Sequence, residues 1–246
     1  MMKKILISAM LLMSSLSINA QAASPEEMIT QNLQKVNASL QVETVVKAPV
    51  DGMYEVVLST GEILYSDEQG QYFLLGKLFQ FSEPEGFIDV TEQKQSVIRK
   101  ESLAKIDPEQ MVVYPAEGEL KATINVFTDV DCPYCRKLHA EVPKLTAMGV
   151  QVNYLAFPRQ GAGTATYRSM VSIWCAESAD GRRKAMDAAK GSGDLASKTC
   201  DSPVMEQFHI GQRIGVTGTP AIVLSDGSLL PGYVPAAQLA KALKLQ

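Results

Sequence analysis

Short apolar runs separated by turn residues occupy the chain between residues 39 and 81. In the first run, Tyr54, Val56 and Leu58 fall on one face of a strand, because successive side chains in a strand point to opposite sides. A polar helix is predicted from Ser24, followed by a small antiparallel sheet with strands at residues 54–58, 62–65 and 71–75. A unit of about sixty residues is marginally stable alone, so we expect a second copy of the chain to cover the sheet.

Residues 91–106 have the pattern of a connecting helix. The apolar positions make only a thin stripe on a mostly charged segment, namely Val97, Ile98, Leu103 and Ile106. A helix this polar is more often a solvent-exposed bridge than a core element. It ends at Asp107, because the residue before Pro108 avoids the helical region, and we place a domain boundary there.

The remaining chain alternates between strand and helix patterns. Strand-like runs at residues 122–127 and 150–157 flank a helical pattern at 132–148, which predicts a right-handed parallel βαβ unit. A helical stretch from about 164 to 214 follows as an insertion. Two short strands, at 220–224 and 228–230, and a final helix complete the chain.

The first 22 residues have the three parts of a secretory signal peptide. Lys3 and Lys4 precede an apolar run from Ile5 to Leu16, and Ala20-Gln21-Ala22 is a small-residue cleavage pattern. The apolar run is too short to cross a hydrocarbon core of about 30 Å. We therefore expect an exported protein that is cleaved after Ala22, works in a bacterial periplasm and is not inserted into the membrane.

Charge and cysteine content narrow the function classes. The formal net charge is −4, and loss of the two signal-peptide lysines makes it more negative. Nucleic acid is excluded as a partner, because binding phosphates requires a basic surface. Four cysteines in an oxidising compartment make disulfide chemistry the expectation, and they allow three pairings that spacing alone does not distinguish.

Two of the four cysteines form the motif Cys132-Pro133-Tyr134-Cys135. This spacing is compatible with a metal site, a structural disulfide or a redox centre. A zinc site needs two further ligands at suitable spacing, and no second Cys-x-x-Cys or His-x-His is present, so we expect no metal. A structural disulfide that closes a loop of four residues would constrain the unfolded chain very little. The motif therefore favours redox chemistry.

The position of the motif assigns roles to its two cysteines. Cys132 is expected at the start of a helix, where backbone N–H groups and the macrodipole favour a thiolate. It is the predicted attacking group, and Cys135, one turn further on, is the resolving group. Arg136 and Lys137 should also lower the pKa of Cys132. His139 is expected to be a surface histidine rather than a general base.

Pro220 is the most informative residue outside the motif. It lies at the start of a predicted strand, in a position compatible with a cis peptide. The turn should face the cysteine pair. A proline has no N–H to donate, which leaves the backbone of Thr219 free to pair with an extended substrate.

Several separated motifs together give the chain a family resemblance. They are the Cys132–Cys135 motif, Tyr154-Leu-Ala-Phe-Pro-Arg-Gln-Gly161, Ile173-Trp-Cys-Ala176 and Gly218-Thr-Pro-Ala-Ile-Val-Leu-Ser-Asp-Gly227. The chain resembles the DsbC/DsbG family of periplasmic disulfide isomerases, in the thioredoxin superfamily. That family usually has Gly-Tyr between the cysteines, whereas Pro-Tyr, as here, occurs in DsbG and in glutaredoxins.

The resemblance implies an α+β fold in three parts. It places a cystatin-like dimerisation domain at residues 23–84, a linker helix at 85–107, and a thioredoxin fold with a helical insertion at 108–246. It also implies a homodimer with facing active sites. A structural disulfide between Cys175 and Cys200 is implied as well, and closing a loop of about 26 residues would be worth roughly 3 kcal/mol. Buried free thiols are the alternative for these two cysteines.

The resemblance also implies an activity. The expected function is isomerisation or reduction of non-native disulfides in misoxidised secreted proteins, together with chaperone activity and without a cofactor. The predicted substrate-binding residues are Thr219, Pro220, Pro133 and Tyr134. A membrane reductase of the DsbD type would keep the enzyme reduced. Two alternatives stay open: a DsbG-like reductase of sulfenylated cysteines, and a periplasmic holdase chaperone in which the cysteines are secondary.

Overall fold

The structure, a computed structural model, describes residues 23–191 and 193–245. The predicted signal peptide, residues 1–22, lies outside the described residues. The helices are α1 (Pro25–Val36), α2 (Val90–Ala104), α3 (Pro133–His139), α4 (Val142–Ala147), α5 (Ala165–Trp174), α6 (Ala179–Lys190), α7 (Val204–Arg213) and α8 (Ala236–Ala242). The strands are β1 (Val42–Lys47), β2 (Met53–Leu58), β3 (Ile63–Asp67), β4 (Phe73–Leu75), β5 (Phe79–Ser82), β6 (Gly86–Asp89), β7 (Val112–Tyr114), β8 (Ala122–Thr128), β9 (Val150–Ala156), β10 (Ala221–Val223) and β11 (Leu229–Pro231).

The N-terminal part is an antiparallel sheet in the order β1-β2-β3-β4. The three predicted strands are present as β2, β3 and β4, while β1 was not predicted. Helix α1 begins with a capping box between Ser24 and Glu27 and covers one face of the sheet. Its buried side chains Ile29 and Leu33 pack in one cluster with Val56 and other sheet residues.

The predicted linker helix at 85–107 is wrong at its start. Residues 86–89 are strand β6, which pairs with β5 in a two-stranded hairpin, and the helix begins only at Val90. The cause is local: Asp89 Oδ1 accepts a hydrogen bond from the Glu92 N–H at 2.8 Å, which caps the helix there.

Helix α2 is also more than a solvent-exposed bridge. Arg99 is 2% exposed and donates hydrogen bonds to the carbonyls of Ile214 (3.1 Å) and Gly227 (3.2 Å) in the C-terminal part. Its guanidinium also pairs with Glu92 on the same helix at 2.6 Å. A charged residue that the pattern counted as solvent-facing therefore fixes α2 to the C-terminal domain, because its buried donors are paired there.

The C-terminal domain contains a five-stranded sheet in the order β11-β10-β8-β9-β7. Strands β8 and β9 are parallel, as the predicted βαβ unit requires, and the other pairs are antiparallel. The predicted helix at 132–148 is two helices, since α4 restarts with Pro143 in its first turn, where a missing N–H is tolerated. Helices α5, α6 and α7 form the predicted insertion between β9 and β10. The predicted α+β class, with a helical insertion in the C-terminal domain and a separate N-terminal sheet, is confirmed.

Candidate active site

The two cysteines of the motif lie where strand β8 passes into helix α3. Cys132 is the N-cap residue of α3, and Cys135 lies one turn further along the helix. Both are reduced and buried, with 2% and 1% of their surface exposed. Cys132 Sγ lies 3.2 Å from the carbonyl oxygen of Thr219, to which its thiol donates. The fold therefore brings the predicted turn next to the motif.

The other predicted substrate-binding residues surround this contact. The Thr219–Pro220 peptide is cis and leads directly into β10. Pro133 and Tyr134 form the exposed first turn of α3, and 62% of the Tyr134 surface is accessible. An exposed aromatic ring and a half-buried turn are thus both close to the buried sulfur of Cys132 in the fold.

The surroundings of Cys132 lower the pKa of its thiol. Burial acts to raise that pKa, but several groups together outweigh it: the Thr219 hydroxyl, the N–H and thiol of Cys135, and the charge of Arg159. The direction agrees with the prediction, and the backbone N–H at the helix start contributes as expected.

The cations expected to help, Arg136 and Lys137, face other groups. Arg136 donates to the Val130 carbonyl at 3.1 Å and lies 3.6 Å from Asp131, which partly neutralises its charge. Lys137 lies over the ring of Tyr233, 4.5 Å from its centre. Adjacency in sequence was therefore a poor guide to which charge acts on the sulfur.

Thr219 has a hydroxyl group suited to the thiolate state. Its Oγ1 atom is buried and makes no hydrogen bond to any described residue. A hydroxyl beside a sulfur gains a strong acceptor when that sulfur is ionised, and hydrogen bonds to charged groups are worth about 1.5–3 kcal/mol. The thiolate of Cys132 therefore satisfies a donor that is otherwise unpaired.

A Thr219→Val substitution should raise the pKa of Cys132. Valine keeps the shape but lacks the donor, so below the pKa the thiolate fraction, and with it the rate of alkylation by iodoacetamide, should fall about tenfold. The rate is measured from pH 4 to pH 9. Thr219→Ser retains the hydroxyl and should behave like the unchanged protein; equal profiles for the valine and serine variants would contradict the assigned role.

Cys135 is shifted in the opposite direction. Burial raises the pKa of its thiol, against the opposing effects of the Lys190 charge, the Asp129 backbone and the hydroxyls of Thr128 and Thr219. The Cys132 thiol therefore ionises at a lower pH than the Cys135 thiol.

An ion pair at the end of the parallel strands was missed from the sequence. Asp129 follows β8, and its carboxylate accepts hydrogen bonds from the backbone N–H and the Nε of Arg159, both at 3.0 Å. Arg159 lies just beyond the end of β9. Because carboxyl ends of parallel strands meet at one edge of a sheet, these positions were a usable signal. For Lys190, 55 residues beyond Cys135, the local sequence carries no signal at all.

His139 is not the surface residue that was expected. Only 15% of its side chain is exposed, and its ring nitrogens lie 3.2 Å from Tyr154 Oη and 3.0 Å from Asp187 Oδ1. Burial and the charge of Lys190 lower the pKa of His139, while Asp187 opposes them. The ring lies at the end of α3, and within the described chain its hydrogen-bond partners are Tyr154 and Asp187 rather than the sulfurs of the motif.

The remaining cysteines form a disulfide between Cys175 and Cys200, with an S–S distance of 1.99 Å. It closes the segment that contains helix α6. Across residues 23–191 and 193–245, no three side chains of the metal-binding types come together. No helix in those ranges combines the length and apolar character needed to cross a membrane.

Comparisons with known proteins cover both domains. Residues 108–246 match the family described as Thioredoxin-like domain, and residues 19–92 match Disulfide bond isomerase protein N-terminal domain. The Thiol:disulfide interchange protein DsbC of Dickeya dadantii is 38% identical over 235 residues, which cover 96% of this chain and 92% of that protein. The protein of the same name from Escherichia coli K12 is 34% identical over 222 residues, with coverages of 90% and 89%. The crystal structure of a disulfide interchange protein from Neisseria gonorrhoeae has a TM-score of 0.50 and 28% identity, covering 56% of this chain and 96% of that one.

Proposed function

Because the chain belongs to the DsbC family of thiol:disulfide interchange proteins, we propose that it rearranges non-native disulfides in exported proteins, as an isomerase and reductase. One observation carries the proposal: two adjacent thiols have pKa values shifted in opposite directions, downward for Cys132 and upward for Cys135. A thiolate is the nucleophile in disulfide exchange. The pair therefore supplies one attacking and one reserve sulfur.

The first step is attack by the Cys132 thiolate on a substrate disulfide. A bond forms between Cys132 Sγ and one substrate sulfur, and the other leaves as a thiolate. That thiolate attacks a second bridge in the same substrate, and a later substrate thiolate displaces Cys132 again. The enzyme ends reduced and the substrate has exchanged its pairing with no net change in oxidation.

Cys135 releases the substrate from a mixed disulfide when the substrate's own thiols do not rearrange it. Its thiolate attacks Cys132 Sγ, the bond from Cys132 to substrate breaks, and the substrate leaves with both sulfurs reduced. The two electrons come from the pair, which becomes a disulfide. A membrane reductase of the DsbD type then restores the thiols. The cycle exchanges only thiols and disulfides and requires no metal or organic cofactor.

Substrate binding is assigned to the surface around Cys132. The exposed ring of Tyr134 is on the first turn of the helix that Cys132 caps, and the carbonyl of Thr219, which precedes Pro220, lies 3.2 Å from the sulfur. An extended substrate segment pairs with the backbone of Thr219, which presents the substrate disulfide to Cys132. We place the activity in the periplasm, on the strength of the signal peptide predicted for residues 1–22.

The active form is proposed to be a homodimer joined through the N-terminal sheet. Strand β4 is an edge strand, and its Leu74 and Leu75 are 52% and 68% exposed. The neighbouring β5–β6 hairpin exposes an edge-to-face pair, Phe81 and Phe87. A free strand edge with large apolar side chains is a template for another chain.

Lysines at both leucine positions of β4 should prevent this pairing. Leu74→Lys and Leu75→Lys together place two charges on the proposed interface. The molar mass measured by light scattering at micromolar protein concentration should then be that of a monomer. Glu43→Lys and Lys47→Glu, on the opposite edge strand β1, serve as the control and should leave a dimer. A monomer in the unchanged protein, or a dimer in the leucine variant, would contradict the proposed interface.

The function is tested by refolding scrambled ribonuclease. Reduced protein should restore ribonuclease activity, whereas protein oxidised at Cys132 and Cys135 should not. The Pro133-Tyr134 dipeptide, shared with DsbG, favours reduction of sulfenylated cysteines as a second candidate, so release of a sulfenylated peptide is measured in parallel. If reduced and oxidised protein suppress aggregation equally and neither exchanges disulfides, the chain is a holdase and the proposal fails.

A further inference from the structure

Lys190 is a buried cation that the reaction described above does not use. It is the last residue of α6, within the insertion, and 5% of its surface is exposed. Its Nζ donates to Thr128 Oγ1 at 2.8 Å and lies 3.4 Å from the carbonyl oxygen of Asp129. Among the described residues it forms no ion pair with a carboxylate, because the carboxylate of Asp129 is taken by Arg159.

Burying an ammonium without an anionic partner is unfavourable, so the groups near Lys190 must offset part of that cost. Burial lowers the pKa of Lys190 to about 8, and the group that most opposes this is Cys135, ahead of Asp129 and Cys132. The same Thr128 hydroxyl that accepts from Lys190 also lowers the pKa of Cys135. The titratable or charged groups around Lys190 are Cys132, Cys135, Asp129, Arg136, His139 and Tyr154.

We propose that Lys190 is a positioning residue for the resolving step, acting on the buried Cys135 through the Thr128 hydroxyl. The inference rests on the proposed function for its role in the cycle. Its ammonium orients Thr128 and stabilises the thiolate that Cys135 must form before it attacks. The helical insertion thereby contributes a charge to the active site in addition to its packing.

The proton and electrons balance as follows. In the mixed disulfide, the Cys135 thiol gives its proton to water, while Lys190 stays protonated and its ammonium, which donates to Thr128 Oγ1, stabilises the thiolate that forms. The resulting thiolate forms the S–S bond with Cys132 while the bond from Cys132 to substrate breaks. The substrate leaves as a thiolate and takes a proton from water. The pair is oxidised by two electrons and the substrate is reduced by two.

The decisive experiment isolates Cys135 in a Cys132→Ser background, where no other free cysteine remains. The thiolate of Cys135 is followed by its ultraviolet absorbance as pH is raised. Adding Lys190→Met, a replacement of similar length, should lower the thiolate fraction at pH 8 about tenfold. Lys190→Arg keeps the charge and should restore most of it. Identical titrations for the methionine variant and its parent, both folded by circular dichroism, would overturn the proposal.

A second measurement uses the unchanged protein and so does not depend on a variant folding. The Nζ of Lys190 is titrated by NMR in the reduced and the oxidised protein. Oxidation removes both ionisable thiols, so the pKa of Lys190 should fall when the Cys132–Cys135 bridge forms; an equal pKa in the two states would also overturn the proposal. Neither measurement uses isomerase activity, so a failure of the proposed function would appear separately in the ribonuclease assay.

Discussion

A Cys135→Ala variant should hold substrates in mixed disulfides with Cys132 about a thousandfold longer than the unchanged protein does. Cys135 lies one helical turn behind Cys132, and its thiol is among the groups that lower the pKa of Cys132. An intramolecular attack from this position has an effective concentration far above that of any thiol in solution. Alanine leaves the helix intact while removing the attacking group.

The trapped species are counted on non-reducing gels after mixing the reduced variant with scrambled ribonuclease. Cys132→Ala is the matched control, because it removes the sulfur to which substrate attaches. It should form no mixed disulfide and restore no ribonuclease activity. Release from Cys135→Ala as fast as from the unchanged protein would show that substrate thiols alone end each encounter, and Cys135 would lose its assigned role.

The second large effect is expected from Arg99→Met, which should lower the free energy of unfolding by about 3 kcal/mol. The substitution leaves the buried carbonyls of Ile214 and Gly227 without their donor and removes the partner of Glu92. Helix α2 would then lose its polar attachment to the C-terminal domain. Packing of the methionine stem recovers only the apolar part of the contact.

The loss is measured by urea denaturation, together with proteolysis of the α2 segment under native conditions. Lys100→Met is the control, since Lys100 is the next residue on the same helix and is exposed. It should change stability by less than about 0.5 kcal/mol. If the two variants unfolded at the same urea concentration, the Arg99 contacts would contribute nothing measurable to holding α2 in place.

The sequence predicted elements where the hydrophobic pattern was itself the cause of the structure. Strands β2 and β3 bury alternate or continuous apolar side chains, and the parallel pair β8 and β9 lies in the core. Strand β7 is three residues long, and β5 exposes most of its side chains, so neither leaves a clear pattern. Such strands exist because a neighbouring strand completes their hydrogen bonds, which local sequence does not reveal.

The candidate site divides in the same way. The places of Cys132, Cys135 and Pro220 in the fold were predictable, because they depend on short spacing and on local backbone chemistry. The contributions of Arg159 and Lys190 depend on where distant segments return to the sheet, 27 and 58 residues after Cys132. His139 was misjudged for a related reason: its neighbour Asp187 comes from the insertion.

With Cys132 as the proposed attacking sulfur, its recessed position determines which bridges the protein acts on. With 2% of its surface exposed, beside the Thr219 turn, this sulfur is reached only by a disulfide that can enter the recess on a loose length of chain. A folded client keeps its correct bridges packed in its interior, whereas a misfolded client leaves wrong ones on flexible strands. The enzyme therefore does not need to recognise the correct pairing, because correct bridges become inaccessible to Cys132 as each substrate protein folds.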